Sequence, residues 1–353
     1  MNTRTLEFRT AVSSLLGAGL WSALAVLAGL RRAPLGVIEL LALFAVLVVV
    51  PLGINLASMV SSVFDEGVGR AAFLLQPIAA IAAAASFWPG PRIIAAALAV
   101  PWFSLGALVA WACVLSFARR QDRSLTSFAV TLGAIDLALA GGWLVMSRAG
   151  LHPMGFQEPI VLLTAVHFHY IGFAVALIAA SALRVVETRA VRMTFFRPVV
   201  WLTLLLPFVL AAGFVISPVL RSAAALGLAL TVPALAGYLF WFARSFHVRV
   251  ARIYLRLGVA AAWVAMGLAG VYAITDYVGK PFLTIPGMAT THGVLNGLGF
   301  VLLGMLALSI EVHEQKRQKY SGAEEVPEAA PIRRKRPSAV AIPEFVAREF
   351  YDR

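Results

Sequence analysis

Thr164-Ala165-Val166-His167-Phe168-His169-Tyr170-Ile171-Gly172-Phe173 is the stretch on which the fold turns. Two histidines stand in it, yet the segment that carries it, from Pro159 to near Leu183, is apolar enough to cross a bilayer. Apolar runs of about 18 residues or more read as transmembrane helices, because a lone segment in lipid must satisfy its own backbone hydrogen bonds. A closed barrel would show an alternating pattern instead, and none is present. The rest of the chain agrees. Of 353 residues, 61% are hydrophobic and 13% charged, and the mean hydropathy is +0.87. Soluble domains are roughly half apolar and a quarter charged. The chain is therefore read as an all-α, polytopic integral membrane protein.

About ten spans are predicted. They run from Ala11 to Leu30, Gly36 to Asn55, Ala72 to Trp88, Ile93 to Ala118 and Thr126 to Met146. The others run from Pro159 to Leu183, Pro198 to Ile216, Leu220 to Phe242, Tyr254 to Tyr272 and Ile285 to Ile310. Trp88-Pro89-Gly90-Pro91 makes a sharp stop after the third. Met1 to Arg9 is basic and Ala-Leu-Ala precedes Val26, which are features of a signal peptide. With nine spans following, the first is read as an uncleaved span.

The net charge of +12 and the isoelectric point near 10.6 could suggest nucleic-acid binding. The distribution excludes it, because the arginines sit in short loops between apolar spans. Arg119, Arg120 and Arg123 follow span four; Arg184, Arg189, Arg192 and Arg197 follow span six; Arg244, Arg249, Arg252 and Arg256 follow span eight. The opposing loops hold only Arg92, Arg148, Arg221, Lys280 and the pair Arg31 and Arg32. That bias predicts both termini in the cytoplasm of a bacterium, with the spans in its inner membrane. The expected partners are membrane lipid and a small-molecule ligand. The lone Cys113 lies in an apolar run and carries no thiol motif.

Two domains are expected: a transmembrane helical domain over residues 1–312 and a cytoplasmic, largely disordered tail over 313–353. The tail holds the run Arg333-Arg334-Lys335-Arg336, suited to anionic lipid or to a topological anchor. Ile342, Phe345, Val346 and Phe350 share one face of a possible short helix.

Ionisable groups deep in lipid need a partner or a job. In the ten-span arrangement spans six and ten run the same way, and His167, His169 and His292 fall roughly 10 to 14 Å below the outer edge. Asp136, on span five, falls about 15 Å below it. At 100° per residue His167 and His169 point about 200° apart, so they do not chelate one metal together. His292 and Asn296 share a face. The polar site expected from these residues is His167, His169, Tyr170, Thr291, His292, Asn296 and Asp136, at the junction of spans six and ten, with span five as a third wall. Structural alternatives are a backbone carbonyl or the Thr164 hydroxyl for the two histidine rings, and a His, Tyr or Trp partner for Asp136. Glu39 reads as solvated and Gln76 as capping the break at Pro77. His152, His247 and His313 are assigned no role.

His167-Phe168-His169-Tyr170 resembles the tenth helix of haem-copper oxidase subunit I, where two histidines face different haems. His292-Gly293 is similar to that family's other low-spin haem histidine. Its copper-site segments, an adjacent His-His pair and His-Pro-Glu-Val-Tyr, are absent, so oxygen reduction of that type is not implied. The wider pattern is His-Phe-His-Tyr-x-Gly-Phe followed by Thr-His-Gly-x-x-Asn-Gly-x-Gly-Phe. It resembles the YndJ-like family of bacterial membrane proteins, sometimes labelled transporters. Three functions follow as expectations. The first is a transporter whose polar layer takes a small solute. The second is a redox protein binding haem or a transition metal through His292 with His167 or His169. The third is a membrane enzyme with a histidine base oriented by Asp136; it ranks last because no nucleophile motif is present, so a non-enzymatic role is expected ahead of it.

Overall fold

The computed structural model describes residues 3–61, 66–88, 90–119, 123–189 and 194–324. Among them every regular element is a helix. Ten helices result: α1 Thr3–Gly29, α2 Val37–Val60, α3 Glu66–Ala85, α4 Arg92–Arg119, α5 Leu125–Ala149, α6 Ile160–Val185, α7 Phe196–Ile216, α8 Pro218–Phe242, α9 Arg249–Tyr277 and α10 Ile285–Gln318. Nine of these described helices are long and apolar enough to cross a membrane. The exception is α3, whose apolar part is only Leu74–Ala85, shorter than the span expected over Ala72 to Trp88. The basic run and apolar face of the tail lie outside the described residues.

The helices up to Glu314 form one compact unit. Neighbours in sequence pack on each other: α4 on α5, α7 on α8, α8 on α9 and α9 on α10. The organising helix is α2, which is 83% buried across its span, against 17% for α1. It touches α1, α3, α6 and α10. A helix enclosed by protein can be apolar all round, and Leu41 to Val50 are all buried.

α2 widens into a π-helical turn at Ala45–Val49. Such a turn disturbs the regular carbonyl ladder, and in lipid the affected carbonyls need other donors. Three neighbouring helices supply them. Trp21 Nε1 of α1 donates to the Leu40 carbonyl at 2.7 Å, Tyr170 Oη of α6 to Leu41 at 2.9 Å, and Gln76 Nε2 of α3 to Val46 at 3.1 Å. Gln76 also accepts from Ser13 Oγ at 3.0 Å. This corrects the expectation for Gln76. It joins three helices instead of capping the turn at Pro77, because an amide buried between helices has polar groups of its neighbours within reach.

Candidate functional site

Two other helices carry π-helical turns, and these are the two histidine stretches. In α6 the turn spans Phe168–Ala174, and in α10 there are two, Ala289–Gly293 and Leu295–Val301. The π-turns of α2, α6 and α10 converge. Gly297 of α10 lies where an added Cβ would come 3.1 Å from the Tyr170 ring, so glycine is what lets the tyrosine reach across to α2.

The histidines are anchored alike. His167 Nδ1 is 2.8 Å from the Leu163 carbonyl and His169 Nδ1 is 2.8 Å from the Ala165 carbonyl. His292 Nδ1 is 2.9 Å from the Ala265 carbonyl of α9. A carbonyl only accepts, so each Nδ1 carries the hydrogen and each neutral ring presents Nε2 as a lone pair. The Thr164 hydroxyl takes no part; it donates to Ile160 within its own helix at 2.8 Å.

What meets Nε2 separates the three. The His169 ring is buried, stacked on Trp102 of α4 with centroids 5.9 Å apart, and its Nε2 accepts from Trp102 Nε1 at 3.0 Å. Both ring nitrogens are satisfied. This corrects the grouping of His169 with His292 and with the metal ligands: its lone pair is already in use, and it faces α4.

His167 projects the other way. Its ring is exposed, and its Nε2 has no partner among the described residues. His292 and Asn296 are half-buried on α10. Asn296 Nδ2 lies 3.3 Å from each nitrogen of the His292 ring, and only the contact to Nε2 pairs a donor with an acceptor. The same amide nitrogen is 3.7 Å from Met266 Sδ of α9. Asn296 therefore directs its N–H groups at the imidazole and the thioether, and its carbonyl oxygen is the end left for other contacts. Thr291 Oγ1 is turned back to the Gly287 carbonyl at 2.8 Å, so it adds no free donor.

Asp136 takes neither expected role. It is 1% exposed, it packs on Gly172 so closely that an added Cβ would come 2.6 Å from its own Cβ, and its Oδ1 has no hydrogen-bond partner. No hydrogen bond joins it to a histidine, tyrosine or tryptophan among the described residues, so it does not orient a histidine base. Among the described residues, no three His, Cys, Asp or Glu side chains converge on a metal-sized point. The enzyme reading loses its acid–base pair on this geometry.

Two features escaped the sequence reading. Trp102 sits in the apolar run of span four, where nothing in the sequence singles it out. Glu311, 0% exposed near the end of α10, holds His247 twice: it accepts from the His247 backbone N–H at 2.9 Å and contacts Nδ1 at 2.8 Å. An acidic residue following an apolar span was the available signal. Glu39, expected to be solvated, accepts from the Gly36 backbone N–H at 2.9 Å and caps α2.

Nine long apolar helices among the described residues define a multi-pass membrane protein. A family model described as "YndJ-like protein" matches residues 40–300, and the chain belongs to that family. It is 26% identical over 213 residues to a Bacillus subtilis (strain 168) protein named "Uncharacterized membrane protein YndJ". The match covers 60% of this chain and 38% of that relative, so the chain spans well under half of the relative's length. No solved structure matches.

Proposed function

We propose that this is a transporter-like protein of the bacterial inner membrane, with both termini in the cytoplasm, whose face of His167, His292 and Asn296 receives a small solute in the outer half of the bilayer. Tyr170 shapes that face by holding α6, α2 and α10 together. The transmembrane domain over 1–312 is the working part, and the tail over 313–353 is cytoplasmic. The observation that carries the reading is the accessible His167 ring with an unpaired Nε2, about 10 Å into a membrane span. An exposed polar ring is costly against hydrocarbon, so such groups face a water-filled cavity or a ligand path.

The test uses the purified full chain in liposomes offered a defined mixture of amino acids, sugars and inorganic ions, with the contents read by mass spectrometry. Uptake of a component is expected in wild type, and its loss in His167→Ala and His292→Ala. Equal contents in wild type, both variants and empty liposomes sink the proposal.

A further inference from the structure

Asp136 is a buried ionisable group that the solute face leaves unused. Resting on the transport reading above, we propose that it is a proton-binding site. It is a neutral carboxylic acid while α5 packs on α6, and it exchanges its proton with water when that contact opens, which couples solute movement to protons.

Position and packing carry the inference. Asp136 lies roughly 17 Å into α5, near the middle of the span. It is 1% exposed, and its Oδ1 has no hydrogen-bond partner. On the α6 side it meets Gly172, inside the π-helical turn Phe168–Ala174, where an added Cβ would come 2.7 Å from Cγ and 2.9 Å from Oδ2. One turn earlier on α5, Gly133 meets the backbone of Phe173 in the same turn, with an added Cβ 3.3 Å from its carbonyl oxygen. The carboxyl thus sits in a seam where glycines bring α5 and α6 close together. The turn it meets is of a kind found frequently at functional sites.

No neighbouring cation supports a carboxylate there. α5 packs on α4 and α6. On α6, His169 uses both ring nitrogens, on Ala165 and Trp102, and the Tyr170 hydroxyl is given to Leu41. His167 is anchored at Leu163, and Arg184 stands near the end of the helix. On α4, Cys113 is a buried thiol, Arg119 closes the helix, and Arg92 opens it beside Gly150, just past the end of α5. Arg148, on α5 itself, is turned to Ser147 and the Phe87 ring. An ionised carboxylate without a cation in a low-dielectric interior costs far more than the neutral acid. Asp136 therefore keeps its proton in this packing.

The neutral acid gains little from its surroundings either. Its Oδ1 is buried without a donor, a cost that an apolar side chain would avoid. The chemistry of the group belongs to a state in which water reaches it. Water entering between α5 and α6 accepts the proton, leaving a carboxylate and a hydronium ion; before the seam recloses, hydronium returns a proton to the carboxylate.

The first experiment reads the acid itself, in the full chain in nanodiscs. Infrared difference spectra of wild type against Asp136→Asn should show a carboxylic-acid C=O band at neutral pH that shifts in deuterated water. Asp136→Ala serves as a second acid-free variant should the amide fail to fold. Absence of the band overturns the proposal, and so does a band that never shifts, since that is a sealed structural acid. The second experiment uses liposomes with a trapped pH dye, an inward proton gradient and the mixture of amino acids, sugars and inorganic ions used above. Wild type should admit protons together with the solute, and Asp136→Asn should lose the proton entry. Solute uptake indifferent to the gradient, or proton entry unchanged in Asp136→Asn, overturns the coupling and leaves the solute face standing. An exchanging acid band with no solute uptake by wild type keeps the proton site and overturns the solute face.

Discussion

His167 and His169 stand two residues apart on α6, and each binds the carbonyl one turn back through Nδ1, yet their surroundings differ completely. On the α4 side, the His169 ring is stacked and its second nitrogen is taken by Trp102. The His167 ring, by contrast, is exposed with its second nitrogen unpaired among the described residues. Residue type and local anchoring are the same. Function and structure part at the second nitrogen, which is set by a residue 67 positions away in one case and left open in the other.

The comparison breaks most visibly on stability. His169→Ala empties a packed site and leaves the Trp102 N–H without its acceptor, so a loss of about 2–4 kcal/mol is expected. His167→Ala removes an accessible ring and should change stability by less than about 0.5 kcal/mol. Unfolding of both variants in the same detergent reads this directly, and equal losses would erase the distinction.

A smaller effect sharpens it. Trp102→Phe keeps most of the aromatic bulk and removes the one donor to His169 Nε2, for an expected cost of about 1–3 kcal/mol. The variant should also gain a chemical signature. An imidazole-acylating reagent is expected to modify His167 and His292 but not His169 in wild type, and to modify His169 as well once Trp102 is replaced. Peptide mass spectrometry distinguishes the sites. Modification of His169 in the unaltered protein would show that its pocket is open.

The membrane fold was legible because hydropathy reports on the solvent, and a series of long apolar runs has few other solutions, although the third run proved too short by length and apolarity to count as a span. The opposition of His167 and His169 was legible too, since it follows from 100° per residue and needs no partner. Which of the two would meet His292 was not, because helical phase fixes an angle between side chains and says nothing about which neighbour occupies it. Trp102 looked like one more hydrophobe in span four; its single N–H matters only once α4 is known to lie against α6. The π-turns were invisible for a similar reason. Nothing in Ala45-Val46-Leu47-Val48-Val49 marks a widened turn, and donors that accompany it come from Trp21, Gln76 and Tyr170 on three other helices.

Tyr170 provides the smallest and most discriminating prediction, since it belongs to neither histidine pocket but braces α6 against α2 and α10. Its hydroxyl reaches the Leu41 carbonyl beside the π-turn of α2, while its ring lies against Gly297 of α10. Tyr170→Phe keeps the ring and removes only the hydrogen bond. Interhelical hydrogen bonds in membranes average about 0.6 kcal/mol, because the unfolded chain in lipid finds partners too. A loss near that value is expected, together with unchanged protection of His169, whose contacts lie on the α4 side. Any larger change should appear on the other side, as altered accessibility of His167 and His292, because α10 rests on the tyrosine ring at Gly297. If the substitution instead exposes His169 and leaves His167 unaffected, then α2 braces the wrong half of the comparison, and the open face owes its shape to α9 through the Ala265–His292 bond.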